Sequence, residues 1–415
     1  TEIYTLSLHD ALPISQTDLF LGYQGKRFGW PNLYTPFGSN EFENLQTRLL
    51  LLNQRWTAPD GDFWEWGVFE RRHKDDYAFN RFAPVGPVHP FQHTTWVRGA
   101  AWRGRQTTGE VAWEFRAEVN ADRLKSTSLT FGRFNRRTVG KLALLGGRSW
   151  ALAEPGEFTL RAGAVYDDTN QDAGALSPIW ELARGFRHQA VSRVYLALSR
   201  ATQVPTYTAL NSSATSGLFR GNPNLGRGRS DNLEIGLQAS GWGWSWQGAL
   251  FHRRDRKLVD WTFRRGEIAR VANATDVDVT GLELIARRHW PSGEVTLGYT
   301  ALGKSADYRG APVDASFYAL NYARHRLTAA VTFRPGNGVE LRVDNSVRSQ
   351  AENSLRLQGG RQAIHTMVGL SWRPPAWSRI EFSWLVENLW NDDFQEIPAV
   401  PAAPRQFSLT VGTTW

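Results

Sequence analysis

The sequence predicts an all-β fold, a transmembrane antiparallel β-barrel with about 18 strands, on three observations. The first is the C-terminal end. Phe407, Leu409, Val411 and Trp415 fall on one face of a strand, and Gln406, Ser408, Thr410, Gly412 and Thr414 fall on the other. A period of two with one apolar and one polar face suits a wall between lipid and a wet lumen, with an aromatic residue at the interface. An edge strand of a soluble sandwich carries the same local pattern. The second observation is that alternating segments of about ten residues recur along the chain. The third is that the connections alternate between short and long, which a sandwich does not require and a membrane barrel does.

Taken in chain order, the short connections are Ala58–Gly61, Gly104–Gly109, Ala153–Gly156, Gly185–His188, Gly241–Gly243, Trp290–Gly293, Pro335–Gly338 and Pro374–Trp377. They are rich in Gly and Pro, the residues tight turns select. The long ones are 24–43, 75–91, 121–136, 169–175, 200–228, 258–274, 305–320, 351–360 and 390–403. Between them, Arg161–Tyr166 and Ser192–Ser199 read as strands. Val295, Leu297 and Tyr299 alternate with Thr296, Gly298 and Thr300, and Leu327, Ala329, Val331 and Phe333 with Thr328, Ala330 and Thr332. In Val339–Asp344 and Ile380–Glu387 the polar face carries charge. Eight short turns give 16 strands, and one at each end brings the count to 18. Trp242, Trp290, Trp372, Trp377 and Trp415 all fall at short-turn ends, where an interfacial belt belongs.

Composition supports this reading and excludes others. No run of 18 apolar residues is present, so no transmembrane helix is expected. The chain has no Cys, 19 Trp and 22 Phe. Its net charge is +8, with 42 Arg against six Lys, and this charge is scattered along the chain. Nucleic-acid binding calls for a clustered basic stripe, so no nucleic-acid partner is expected. An Arg-rich lumen would attract anionic solutes.

Catalytic residues and cofactors are not expected. His-Glu-x-x-His, Gly-x-Ser-x-Gly and paired-Cys spacings are all missing. Gly298–Ser305 matches a phosphate-loop pattern, but no helical period follows it, so the match is a coincidence. His73 beside Asp75 and Asp76 reads as a charged strand top and not a metal site. The loop around Trp30, Asn32 and Tyr34 is aromatic and Pro-rich, and the loop 205–228 carries Tyr207, Asn211, Phe219, Arg220 and Asn222. These eight residues are the candidate ligand contacts, since exposed loops of this composition bind. Ordering of the loops themselves is the competing role.

Three stretches carry a family resemblance. Val386-Glu387-Asn388-Leu389-Trp390-Asn391-Asp392-Asp393-Phe394 resembles the penultimate-strand motif of TonB-dependent outer-membrane receptors. Ser199–Leu210, followed by Gly221-Asn222-Pro223-Asn224-Leu225 and Arg229–Leu237, resembles their central extracellular loop and the strand after it. Gly281-Leu282-Glu283-Leu284 resembles a Gly-x-Glu-Leu strand of the same family. Gly226-Arg227-Gly228 and Thr275 depart from the family's usual Lys-Pro-Glu-like turn and Gly.

The resemblance implies a barrel of 22 strands with a plugged lumen, so four strands, the plug and the TonB-engaging segment would lie upstream. Residues 1–15 are set aside as artefactual, because Thr1–Ile14 resembles a translated sequencing adapter, and 16–415 are read as the C-terminal part of the barrel. The implied function is import of a scarce large ligand, a ferric siderophore or a cobalamin, with energy relayed by the TonB complex. The implied partners are outer-membrane lipid, the TonB complex, the barrel-assembly machinery at the C-terminal strand, and a small-molecule metal chelate or vitamin. A monomer is expected. The alternatives are a passive 18-stranded porin and a surface-binding structural barrel.

Overall fold

The computed structural model describes residues 3–7, 15–29, 40–82, 91–152, 156–187, 189–353, 355–396 and 402–413. The wall runs β1 (Ile3–Ser7), β2 (Ser15–Gly29), β3 (Phe42–Thr57), β4 (Phe63–Ala78), β5 (Phe91–Thr108), β6 (Val111–Ser126) and β7 (Arg136–Ala151). It continues with β8 (Gly156–Thr169), β9 (Asp172–Phe186), β10 (Val191–Gln203), the short helix α1 (Tyr207–Asn211), β11 (Phe219–Arg220), β12 (Gly228–Gly241), β13 (Trp244–Phe263) and β14 (Arg270–Trp290). The last strands are β15 (Gly293–Asp307), β16 (Ala315–Ser316), β17 (His325–Gly336), β18 (Val339–Ser349), β19 (Gln362–Trp372), β20 (Ile380–Glu387) and β21 (Gln406–Thr413). Setting aside β1, β11 and β16, which have two to five residues each, 18 long strands remain, the number expected. They form one antiparallel ladder in chain order. Among the described residues, β21 pairs only with β20, and β1 only with β2.

The registers fix two faces. Leu196, Ile235, Leu250 and Leu282 lie opposite one another on four successive strands of the ladder, and Val343, Val368, Val386 and Phe407 do so on four others. These rows form the outward apolar belt. The opposite face carries Glu65 against Arg103 and Arg116, and Glu234 against Tyr195. The exposed area is 25479 Å², where a compact chain of 46.8 kDa would expose about 16,000 Å². The molecule is therefore a hollow wall with little conventional core. Among the described residues no helix is long and apolar enough to cross a membrane.

Several boundaries differ from the sequence reading. The strands are 8 to 21 residues long, apart from the three short ones, because many rise past the lipid into water. Their polar tops look like loops in the sequence. The expected loop 169–175 is a two-residue turn at Asn170 and Gln171, with Thr169 and Asp172 already paired. The expected loop 258–274 is mostly hairpin, and only 264–269 connects β13 to β14. Gly104 does not open a turn: β5 runs to Thr108, and a Cβ at Gly104 would sit 2.4 Å from the Phe115 ring. That glycine makes room for an aromatic ring across the strand. The predicted turn at Pro335–Gly338 does form, with Asn337 at φ 53° and Gly338 at φ 73°, the double positive φ that two-residue hairpins require. Ile3–Ser7, inside the segment read as adapter-derived, pairs with β2.

Of the tryptophans expected at an interface, Trp242 is 94% exposed at the tip of the β12–β13 turn, and Trp290 ends β14. Trp372 ends β19 and stacks on Phe382 at 5.9 Å, Trp377 is exposed in the β19–β20 turn, and Trp415 lies outside the described residues. The four described ones all sit at the short-turn rim.

The two faces respond differently to charge. Leu250→Arg, in the outward belt, should cost about 2–4 kcal/mol, and Gln247→Arg, on the inward face of the same strand, less than about 1 kcal/mol. Urea titrations of the two variants in lipid vesicles check this difference.

Candidate functional site

At the long-loop rim, the upper part of the β13–β14 hairpin projects above its neighbours. β12 pairs with β13 only as far as Arg256, and β15 with β14 only as far as Asp276. Both edges of the projecting hairpin would be left unpaired, which is costly for a strand. Two loops fill them. β16, from the β15–β17 loop, pairs with β13 through Thr262↔Ser316 and Phe263↔Ala315. β11, from the β10–β12 loop, pairs in parallel with β14 through Phe219↔Arg270 and Arg220↔Val271. Each loop takes the edge remote from its own strands, so the two cross over the hairpin.

Side chains lock the crossing. The Arg270 guanidinium is buried between the rings of Phe263, Phe219 and Phe317, at 5.0, 5.2 and 5.7 Å. Such desolvated cation–π contacts are among the stronger ones. The charge of Glu41, from the distant β2–β3 connection, also acts on Arg270. Phe219 meets Trp261 edge-on at 5.2 Å. Asp260 is fully buried and accepts the Tyr318 and Ala319 amides at 3.0 and 2.9 Å. Ala319 packs on inward-facing Val277 and Val279, which places this loop against the inner wall. Burial pushes the hydroxyl of Tyr308, at the base of this loop, up to about 12.

The five predicted contacts in loop 205–228 fall into two groups. Tyr207 and Asn211 lie on α1, whose N-cap is Thr206. The Tyr207 hydroxyl donates to Asp122, while Arg137 lies over its ring at 5.3 Å and pairs with the same carboxylate at 2.8 Å. Burial, with the Asp122 bond, raises the Tyr207 pKa. Asn211 is buried and donates to the Phe134 carbonyl at 2.8 Å. These contacts tie the loop to the β6–β7 connection, four strands away. Phe219 and Arg220 form β11. Arg220 is half-buried, and its Nε is buried without a hydrogen-bond partner. Asn222 closes a turn by accepting the Asn224 amide at 3.0 Å. Trp30, Asn32 and Tyr34 lie outside the described residues.

The motif residues have a local purpose too. Arg227, one of the departures from the family pattern, donates to Asp167, and its amide donates to Asp172 at 2.6 Å, so it bolts the loop to the top of β8–β9. Burial lowers the pKa of Arg227. Asn388 sits at φ 49°, 3% exposed. Its amide donates to the Asp392 and Ala403 carbonyls at 2.9 Å, and its Oδ1 accepts the Asp392 amide at 2.9 Å. Asp392 in turn accepts the Phe394 and Ile364 amides. The motif is thus a device that closes the last long loop.

The loops link into a collar. Asn353 donates to the Asp314 carbonyl at 3.2 Å, joining 350–361 to the β15–β17 loop, and Arg356 donates to the Gln395 carbonyl at 2.9 Å, joining it to the last loop. Tyr318, Leu320, Phe131 and Leu357 remain exposed on it. Below the collar, inward arginines are largely neutralised: Arg103 sits on Glu65 at 2.8 Å, Arg193 on Glu181 and Arg342 on Asp344 at 2.6 Å, and Arg253 on Asp255 at 3.1 Å. The lumen is Arg-rich but not strongly cationic. Among the described residues, no group of three or more His, Asp or Glu could hold a metal ion.

The sequence profile of the family described as TonB dependent receptor-like, beta-barrel, matches residues 4–389. The chain belongs to this family of outer-membrane receptors and transporters, which are not enzymes. No curated protein matches it. Among solved structures, the fold is similar to the FrpB iron transporter (F3-3 variant) from Neisseria meningitidis, with a TM-score of 0.71 at 13% identity, covering 96% of this chain and 69% of that one. It is similar to the siderophore receptor PirA from Pseudomonas aeruginosa, with a TM-score of 0.66 at 15% identity over 99% and 69%. It is also similar to the outer-membrane transporter YddB from Escherichia coli, with a TM-score of 0.69 at 11% identity over 98% and 67%.

Two substitutions test the collar. Asn388→Ala removes three hydrogen bonds and leaves a strained backbone, at a cost of about 2–3 kcal/mol. Hydrogen exchange should then accelerate in 388–396 and not in β13. Arg270→Ala should accelerate exchange in both 207–222 and 315–320, since both loops rest on that side chain.

Proposed function

We propose that this barrel belongs to an active importer of a ferric chelate, with TonB-relayed energy. The observation that carries the reading is the collar: loops 204–227 and 308–324 turn across the mouth and are bonded there, as a ligand-holding entrance requires. An unobstructed porin has no use for buried ties such as Arg270 and Asp260. The similarity to FrpB, an iron transporter, and to PirA, a siderophore receptor, favours a chelate over a cobalamin. In this reading Arg220, with its unpartnered Nε, and exposed Tyr318 and Phe131 meet the ligand, a cation and aromatic faces suiting an anionic aromatic chelate. Trp30, Asn32, Tyr34 and Asn222 are the further candidate ligand contacts in this reading. The plug and the TonB-engaging segment would precede the barrel, the wall would face lipid as a monomer, and β21 would present Phe407, Leu409 and Val411 to the barrel-assembly machinery.

Uptake of radio-iron as ferric siderophore, in cells lacking their other receptors, tests this. Uptake should saturate and should cease when TonB is deleted. Linear uptake indifferent to TonB would establish the passive channel instead. Arg220→Ala should weaken chelate binding about tenfold, about 1.4 kcal/mol, with urea stability unchanged.

A further inference from the structure

The outward face of β3–β7 carries a row that neither the collar nor the lumen explains. Arg48 lies opposite Arg72, Arg72 opposite Trp96, Trp96 opposite Arg123, and Arg123 opposite Arg136. Tyr23 on β2 lies opposite Arg48 and extends the row. Six successive strands thus present Tyr, Arg, Arg, Trp, Arg and Arg in one register row. From Arg48 to Arg136 this spans about 19 Å at the usual strand spacing. Asp122 and Arg137, the neighbours of Arg123 and Arg136 in sequence, face inward, where they meet Tyr207. The row therefore faces outward.

Like charges directly opposite one another destabilise a sheet, yet here they recur. Among the described residues none of the four guanidinium groups pairs with a carboxylate. Arg48, Arg123 and Arg136 are exposed, and Arg72 leans over the Trp96 ring at 5.9 Å. The other wall differs. Its outward row on β10, β12, β13 and β14 reads Arg200, Asp231, Arg254, Asp278. There Arg200 meets Asp231 at 2.6 Å, and Arg254 meets Asp278 at 3.8 Å. The inward Arg103, Arg193, Arg253 and Arg342 are paired as well. On the same outward face the next pair down, Glu70 and Arg98, is bonded at 2.8 Å, so the unpaired charge lies in the row itself.

What lies beneath it gives the row a meaning. Four residues down each strand, about 13 Å closer to the short turns, the same face carries Val68, Ala100, Val119 and Gly140. The small side chains leave an apolar groove of about 540 Å³, flanked by Trp102, Leu142 and Tyr166. Tyr and Trp in the row itself mark the headgroup level of a bilayer. The row is also on the long-loop side of the belt, facing the outer leaflet.

We propose that this face binds a phosphorylated outer-leaflet glycolipid, with phosphates on Arg48, Arg72, Arg123 and Arg136 and an acyl chain in the groove. Arginine is the residue suited to the task, since its planar fork takes phosphate oxygens in pairs. Basic side chains above an apolar surface hold anionic lipid by charge and burial together. The inference rests on the outer-membrane location and not on the import reading.

The test is native mass spectrometry of the whole protein extracted from outer membranes and exchanged into detergent. The probes are a diphosphorylated lipid A and its dephosphorylated form. The protein should retain the diphosphorylated lipid about tenfold better, and saturating inorganic phosphate should not displace it. Arg123→Gln with Arg136→Gln should lose most of that preference. Arg287→Gln with Arg379→Gln, at the opposite rim, should lose none. Ala100→Phe, which fills the groove and leaves the charges, should lower retention independently. Equal retention of the two lipids, or undiminished retention in both the Arg123/Arg136 and Ala100 variants, would overturn the proposal. Displacement by inorganic phosphate alone would also overturn it, as the sign of a free-anion site.

Discussion

A strand inside a bilayer has no water to satisfy its backbone, so each N–H and C=O must pair with a neighbouring strand. The rest of the structure depends on this constraint. It makes the wall a continuous ladder in chain order, and it makes side chains alternate between lipid and lumen with a period that cannot slip. The apolar row through Leu196, Ile235, Leu250 and Leu282 and the inward Glu234–Tyr195 bond are two sides of one register. The same demand reappears above the membrane. The β13–β14 hairpin outruns its neighbours, and its bare edges are covered by β11 and β16. The collar is thus a continuation of wall-building by other segments.

The inner and outer faces handle charge differently. Inside, arginines such as Arg103, Arg193, Arg253 and Arg342 are paired with carboxylates on the same or the adjacent strand, which keeps the lumen polar without a large field. This removes the simple argument that an Arg-rich composition draws anions through the lumen. Outside, the upper row of the β10–β14 wall balances its charges and that of the β3–β7 wall does not. Arginines therefore serve as paired structural residues in the lumen and on the outer wall, as locks such as Arg227 and Arg270 in the collar, and as an unpaired row on the outward face of β3–β7.

The fold was legible in the sequence because the period-two signal is local. Phe407, Leu409 and Val411 needed no distant information, and most short turns announced themselves through Gly and Pro. The strand tops were less legible. A run such as 169–175 reads as loop, since residues above the membrane lose their apolar partners while keeping their hydrogen bonds. The entrance was legible only as a location. Tyr207, Asn211 and Phe219 belong to the right loop, but what they do depends on Asp122, Phe134, Arg270 and Trp261, which the chain brings from other strands. Asn388 stood inside a motif visible in the sequence. Its role in closing a loop appears only when its bonds to Asp392 and Ala403 are seen.

The alternating wall is the claim on which the rest stands. The chain has no native Cys, so single cysteines can be read without background. Along β13, cysteines at 248 to 253 in the membrane-embedded protein should react with a water-soluble, membrane-impermeant maleimide in strict alternation. Positions 249, 251 and 253 should label through the lumen, and 248, 250 and 252 should be protected by lipid. Uniform labelling, or the opposite phase, would contradict the register and with it the assignment of both faces.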